Sequence, residues 1–205
     1  MADYSGQLLE NELDSSPFTQ FGKWFDEAKQ RQPDLPEAMT VATASTEGCV
    51  SARVCLLKGY DSRGFVFFTN YNSRKGAQLH DNPRASLCFW WPVLGRQVRI
   101  EGAVVRTTEE ESDAYFATRP RGSQLGAWAS EQSKTIVGRG DLDERFRQLE
   151  ATYRDLPVPR PPHWGGYRVI PVMLEFWQGR ADRLHDRFTY LLRDAKDWVI
   201  ERVAP

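Results

Sequence analysis

Val50-Ser51-Ala52-Arg53-Val54-Cys55-Leu56-Leu57-Lys58-Gly59-Tyr60-Asp61-Ser62-Arg63-Gly64-Phe65-Val66-Phe67-Phe68-Thr69-Asn70 carries two β-rich runs on either side of a tight turn. The runs predict strands over 50–58 and 65–70, joined at Asp61-Ser62-Arg63-Gly64, where Gly64 is free to take positive φ. Outward from this pair the texture repeats. Short strands are expected at 39–44, 85–91, 97–106, 167–177, 183–192 and 198–202. They follow one another through turns rather than through long helical crossovers. That favours a mainly β protein, an antiparallel barrel with peripheral helices, over a doubly wound parallel sheet.

Four helices are expected around this barrel. Phe18, Phe21, Trp24 and Phe25 recur at helical spacing behind Ser15 or Ser16 as N-cap and Pro17 in the first turn, giving a helix to about residue 30. A short helix over 73–81 closes at Asn82-Pro83. Another over 108–118 opens with Glu109, Glu110 and Glu111, which suits the positive end of its dipole. Leu142, Phe146, Leu149 and Tyr153 mark the fourth, over 141–153. Residues 1–16 are polar and acidic and are expected to stay mobile until something docks them. Residues 17–205 read as a single domain.

Composition narrows the chemistry. The 205 residues carry 27 basic and 28 acidic groups, for a net charge of −1, and of the basic groups 21 are Arg and 6 are Lys. Such an Arg excess points to planar, bidentate recognition of phosphate or carboxylate. The balance excludes a polycation that coats nucleic acid. Three cysteines without a C-x-x-C pair, and three histidines outside ligand spacing, give no basis for a disulfide framework or a metal site. No apolar run has the length of a membrane helix and the start lacks a signal peptide, so a cytoplasmic location is expected. Dinucleotide and P-loop glycine motifs are absent, as is the G-x-S-x-G elbow.

What remains are clusters suited to anions. Ser73-Arg74-Lys75-Gly76 puts two cations at a capped helix start, where free N–H groups favour a phosphate; a solvated helix surface is the plain alternative. Arg183, His185 and Arg187 share one face if 183–192 is a strand, a crowding that needs an anion or cross-strand carboxylates. Tyr115, Arg119 and Ser123 would share one side of a helix, but Pro120 is expected to end it near Thr118 or Arg119. Arg119 and Arg121 flanking Pro120, followed by Gly122-Ser123, then read as a loop built for polar contacts. Core packing of Tyr115 and Phe116, with helix capping by the arginines, is the alternative. In the strand 50–58, alternation sets Arg53 and Lys58 on opposite faces, so one cation points to an otherwise apolar side. Gln97, Arg99 and Glu101 form a polar row that needs partners.

These segments together resemble the pyridoxamine 5′-phosphate oxidase family. The likeness is carried by Ala52 to Gly59, Phe67-Phe68-Thr69-Asn70, Ser73-Arg74-Lys75-Gly76, Arg96-Gln97-Val98, Tyr115-Phe116 with Arg119-Pro120-Arg121, Ser123 to Trp128, Gln132-Ser133 and His163 to Tyr167. The C-terminal run is the most specific: Glu175-Phe176-Trp177-Gln178-Gly179, Arg183-Leu184-His185-Asp186-Arg187 and Glu201-Arg202-Val203-Ala204-Pro205. The resemblance implies an FMN-binding split β-barrel that works as a homodimer with FMN at the subunit interface. It implies FMN-phosphate contacts from Arg53, Arg74 and Lys75, with Arg187 near the flavin. Val54, Cys55, Leu56, Leu57, Lys58, Phe68, Thr69, Gln97, Gln132, Ser133 and Trp177 would surround the rest of the cofactor. Lys58, Tyr115, Arg119 and Ser123 would hold the substrate phosphate. Arg183, Leu184 and His185 would lie over the pyridine ring, Arg183 and His185 in catalytic roles.

The implied reaction removes two electrons at C4′ of pyridoxine or pyridoxamine 5′-phosphate, with dioxygen as final acceptor and peroxide as product. The family's Arg-rich N-terminal segment is not matched at Met1-Ala2-Asp3-Tyr4, and Phe68 stands where some relatives carry Tyr. Related oxidases of phenazine precursors tend to lose the Lys and the Arg-Pro-Arg motif kept here as Lys58 and Arg119-Pro120-Arg121. A flavin carrier without turnover and a single-stranded nucleic-acid binder are the readings from other classes.

Overall fold

The computed structural model describes residues 6–32, 34–194 and 197–205. Its elements run α1 (Pro17–Arg31), β1 (Ala38–Ala44), β2 (Val50–Leu56), β3 (Gly59–Asp61), β4 (Gly64–Asn70), α2 (Arg74–Asp81), β5 (Arg84–Trp91) and β6 (Arg96–Arg106). Then follow α3 (Glu109–Ala117), α4 (Arg121–Ala129), α5 (Arg139–Thr152), β7 (Trp164–Gln178), β8 (Asp186–Arg193) and β9 (Asp197–Arg202). The nine strands form one sheet in the order β2-β1-β5-β6-β7-β4-β3, with β8 on β7 and β9 on β8. Every pairing is antiparallel. This is the expected split barrel with helices outside.

α1 forms where its apolar spacing said it would. The Ser16 hydroxyl accepts the Thr19 N–H, Pro17 occupies the first turn, and Phe21, Trp24, Phe25 and Ala28 are buried. Phe21 is the centre of the core, in edge contact with Phe65 and Tyr60 at 4.9 Å and with Phe89 at 5.2 Å. Trp24 meets Phe176 edge-on at 5.2 Å, so the same helix seals both β4 and β7.

The 15-residue β7 organises the sheet. β6 pairs along its length, β4 pairs with its first half (Trp164 to Val169) and β8 with its second (Met173 to Gln178). Between the halves the register shifts at Glu101/Gly102, leaving Val172 as an extra residue beside Pro171. A proline has no N–H for the ladder and a bulge is where a strand tolerates one. Gly102 is required opposite, since a Cβ there would lie 2.0 Å from the Ile170 carbonyl oxygen.

Three local expectations change. The turn at Asp61–Gly64 exists, and Gly64 has φ +135, but it joins β4 to the three-residue β3. β2 stops at Leu56 and pairs instead with β1, because Leu57 turns into the core and its N–H donates to the Glu37 carbonyl. The run 121–129 is a helix rather than a loop; Pro120 ends one helix and starts the next. Finally, β8 begins at Asp186. Residues Ala181–Arg183 form a 3₁₀ turn with Asp182 and Arg183 at left-handed φ of 54 and 60, so Arg183, His185 and Arg187 do not share a strand face.

Residues 6–14, expected to be mobile until docked, lie against β8 and β9. Leu8 is buried and its N–H donates to Asp186 Oδ2 at 3.1 Å. Asp186 also accepts from Arg180 at 2.9 Å and Arg202 at 2.8 Å, and Arg202 reaches Glu10 at 2.6 Å. Burial alone would raise the Asp186 pKa, but these hydrogen bonds hold it below the usual carboxylate value. A depressed folded pKa stabilises above the unfolded value and is lost as pH falls through the folded one. Asp186→Ala therefore lowers unfolding free energy by about 2 kcal/mol, discounted for half-exposed arginines. It also speeds exchange of the Leu8 amide; an unchanged exchange rate would separate the N-terminal segment from this carboxylate.

Candidate functional site

A cavity of about 810 Å³ opens between β2, β4, α2, α3 and α4. Of the residues singled out from the sequence, Arg53, Val54, Cys55, Leu56, Lys58, Phe68, Thr69, Lys75, Tyr115, Arg119, Ser123 and Gln132 line it. Four are cations, Arg53, Lys58, Lys75 and Arg119, and among the described lining residues there is no carboxylate.

Lys75 is the most buried of the four. Its Nζ donates to Thr69 Oγ1 at 2.7 Å, Gln132 Oε1 at 2.9 Å and Ser73 Oγ at 3.1 Å, all neutral oxygens. Burial pushes its pKa down, with Arg53 adding to the effect and Cys55 opposing it. Arg53 is lowered by burial and then by Arg74, with Cys55 again opposing. Burial pushes the Cys55 thiol up despite Lys75 and Arg53 nearby. The site thus concentrates positive charge that the fold leaves without a counter-ion among its described side chains. An anion supplies one.

α2 contributes as the sequence implied. Ser73 caps it by accepting the Gly76 N–H, and Arg74, exposed, has its backbone N–H donated to Ser133 Oγ at 3.2 Å. Gly76 allows this tight entry, because a Cβ there would lie 2.0 Å from the Tyr71 carbonyl oxygen. Ser133 itself has φ 75, a strained turn of the kind that clusters at binding sites.

Arg119 lines the cavity between α3 and α4. Its guanidinium lies 4.6 Å over the Trp164 ring, while Trp164 stacks on Phe68 at 5.5 Å and Phe68 on Tyr115 at 4.0 Å. Burial lowers the Arg119 pKa, and its Nη1 is buried without a hydrogen-bond partner. Cation–π support orients an arginine without neutralising it. Arg121, by contrast, caps α5 by donating to the Tyr153, Leu156 and Arg154 carbonyls, the plainer of the two roles considered for it. Trp164, one of the tryptophans able to stack on a flat ring, lines the cavity, as do Gly126 and Ala127 of α4, which carry no binding signal of their own in the sequence.

A second group lies elsewhere. Gln97 pairs with Trp177 and Trp177 with Arg187 across β6, β7 and β8. His185 packs on Trp177 at 4.5 Å, and its Nδ1 accepts the Arg180 N–H at 3.1 Å. Arg187 donates to the buried Glu175 at 2.7 Å and to the Ala204 carbonyl at 2.8 Å, with its Nε buried and unpartnered. Leu184 is exposed. Trp177 is thirteen positions beyond cavity-lining Trp164 on β7, roughly 40 Å of extended strand. Gln97, Trp177, Arg183, Leu184, His185 and Arg187 do not line the cavity of their own chain. Leu57, Arg74 and Ser133 do not line it either. The Leu57 side chain is in the core, and Arg74 and Ser133 are exposed beside the cavity, joined by the Arg74 N–H to Ser133 Oγ bond.

The family follows from comparison with known proteins. Residues 25–156 match the model of pyridoxamine 5′-phosphate oxidase, and residues 164–205 that of the pyridoxine 5′-phosphate oxidase C-terminal dimerisation region. The chain belongs to the pyridoxamine 5′-phosphate oxidase family. It is 55% identical over 204 residues to a pyridoxine/pyridoxamine 5′-phosphate oxidase of Acaryochloris marina, covering 99% of this chain and 93% of the relative. A protein of the same name from Paraburkholderia phymatum is 57% identical, covering 98% and 94%. Among solved structures, PhzG from Burkholderia lata 383, in complex with tetrahydrophenazine-1-carboxylic acid, superposes with a TM-score of 0.90 at 34% identity, over 97% of this chain and 98% of that one.

As a member of this family the chain is an FMN-dependent oxidase. The residues present fit that cofactor: a carboxylate-free cation cluster suits a phosphate dianion, and flat aromatic walls with amide and hydroxyl edges suit a ring system. The C-terminal match supports a homodimer. Among the described residues no helix is long and apolar enough to cross a membrane.

The anion-binding character is directly measurable. Millimolar inorganic phosphate raises the melting temperature of the flavin-free chain by mass action. Arg53→Met together with Lys75→Met removes that rise; a rise kept in full would place the phosphate elsewhere.

Proposed function

We propose that this chain oxidises pyridoxine 5′-phosphate and pyridoxamine 5′-phosphate with dioxygen. The products are pyridoxal 5′-phosphate and hydrogen peroxide, with water consumed and ammonia released from the amine. The observation that carries the reading is a cavity of about 810 Å³ lined by four cations, Arg53, Lys58, Lys75 and Arg119, and by no described carboxylate, enough charge for two phosphates. Arg53, Arg74 and Lys75 take the FMN phosphate, with Val54, Cys55, Leu56, Phe68, Thr69, Gln132 and Ser133 along the cofactor and Leu57 contributing through its backbone. Lys58, Tyr115, Arg119 and Ser123 take the substrate phosphate.

FMN supplies the two-electron acceptor and the reaction with dioxygen when bound. This chain's residues bind and orient. In the neutral His185 ring Nδ1 is the hydrogen-bond acceptor from Arg180, which leaves the proton on Nε2 as a donor toward substrate. Arg183, held at left-handed φ, brings a fixed charge to the substrate near C4′. Because Gln97, Trp177, Arg183, Leu184, His185 and Arg187 lie outside the cavity, they complete the cavity of a second copy in a homodimer. Exposed Val54 on β2 and Trp90 and Val172 on the sheet give that copy apolar surface to cover.

Oxidation of tetrahydrophenazine-type carboxylic acids is the rival reading, motivated by the 34% identity to PhzG. It leaves Lys58 and Arg119 without a phosphate to bind. Peroxide release with pyridoxine 5′-phosphate, and none with such a carboxylic acid, is the expected result; the opposite pattern would overturn the proposal. Damage should also separate: Arg74→Ala weakens FMN retention, whereas Arg119→Ala raises substrate KM about tenfold or more and leaves FMN content intact. Equal flavin loss in both variants would contradict the two-phosphate assignment.

A further inference from the structure

Arg53 is aimed by neutral groups alone, and the aim can be traced one layer back. Its Nη1 donates to Thr43 Oγ1 at 2.8 Å and to the Val41 carbonyl at 3.0 Å, and its Nη2 to Ser51 Oγ at 2.5 Å. Both of those hydroxyls donate their own hydrogens to one atom, Gln78 Oε1, at 2.6 Å from Thr43 and 2.7 Å from Ser51. Gln78 lies on α2, 7% exposed, and its Nε2 donates to the Cys49 carbonyl at 3.1 Å. That last bond fixes which end of the amide faces the hydroxyls. With the amide oxygen consuming both hydroxyl hydrogens, each hydroxyl is left with only lone pairs to offer, and both offer them to the guanidinium.

We propose that Gln78 is a positioning residue for phosphate recognition: through Thr43 and Ser51 it holds the Arg53 guanidinium in one orientation while leaving its charge unneutralised. The inference rests on the reading of Arg53 as an FMN-phosphate ligand. A carboxylate in place of this amide would orient Arg53 equally well and cancel much of its attraction for a dianion. An apolar residue would leave both hydroxyl hydrogens without that acceptor, and the hydroxyls could rotate toward other acceptors and loosen their hold on the guanidinium. Gln78 also links α2, which carries Arg74 and Lys75, to β1 and β2, which carry Thr43 and Arg53, so that one buried amide ties the helix bearing Lys75 to the strands that hold Arg53.

The test compares FMN with riboflavin, which lacks the phosphate, by fluorescence quenching on the full chain freed of flavin. Gln78→Leu should raise the FMN Kd about tenfold and leave the riboflavin Kd within about twofold, since only the phosphate end loses preorganisation. Thr43→Val, nearly isosteric, should give a smaller loss with the same selectivity, and it carries the test if Gln78→Leu does not fold. Combining the two should add less than the sum of their separate effects, because they break one chain of bonds. An unchanged FMN Kd, or equal weakening of FMN and riboflavin, would overturn the inference. Wild-type protein that holds riboflavin as tightly as FMN would instead remove the phosphate reading of Arg53 on which the inference stands.

Discussion

Strand β7 is hydrogen-bonded to β6 along its length, but its other edge is divided between β4 and β8. That division decides where chemistry can occur. The β4 half brings Trp164 to the cavity wall beside Arg119, while the β8 half carries Trp177, flanked by Gln97 and Arg187, away from it. The bulge at Val172, made necessary by Pro171 and possible by Gly102, separates the halves. On the proposed reading the two groups are components of one site that a single chain does not join. A twofold arrangement in which each copy's cavity meets the other's β8 half would join them twice.

Within the cavity the governing feature is how the cations are held. Arg53 is oriented by hydroxyls and a carbonyl, Lys75 by hydroxyls and an amide, and Arg119 by an indole face. Neutral support costs the fold a concentration of buried charge, visible in the lowered pKa values of all three groups. On the proposed reading the gain is that a phosphate would meet cations without competing carboxylates. The contrast lies in the second component, where Arg187 already pairs with buried Glu175. Arg187 suits a role beside a ring better than one as a principal phosphate ligand.

Much of this was legible in the residues. Apolar spacing gave α1 and its core face, and turn chemistry gave the hairpin at Gly64. The capped start of α2 marked Arg74 and Lys75 before any geometry was known. Helix α4 was hidden because Arg119-Pro120 signals a stop, and a stop that is also a start reads the same way. Arg183, His185 and Arg187 share no strand face, because left-handed φ at Asp182 and Arg183 breaks the period of two. Nothing in the sequence marks two non-glycine residues for that conformation. The relay from Gln78 was equally invisible, since Thr43, Ser51 and Gln78 meet only once β1, β2 and α2 are assembled. The division of the motif residues between two components is a property of strand length, which the local pattern does not carry.

Complementation between two inactive variants tests the shared site most directly. Lys58→Met disables the cavity component and Arg183→Ala the β8 component, each in both sites of its own homodimer. When the two are unfolded together and refolded, mixed dimers hold one site with both lesions and one with neither. The account predicts recovery of about a quarter of wild-type peroxide release at equal, statistical mixing. Activity no higher than that of the separate variants would mean that each chain builds its site alone, and would contradict the account.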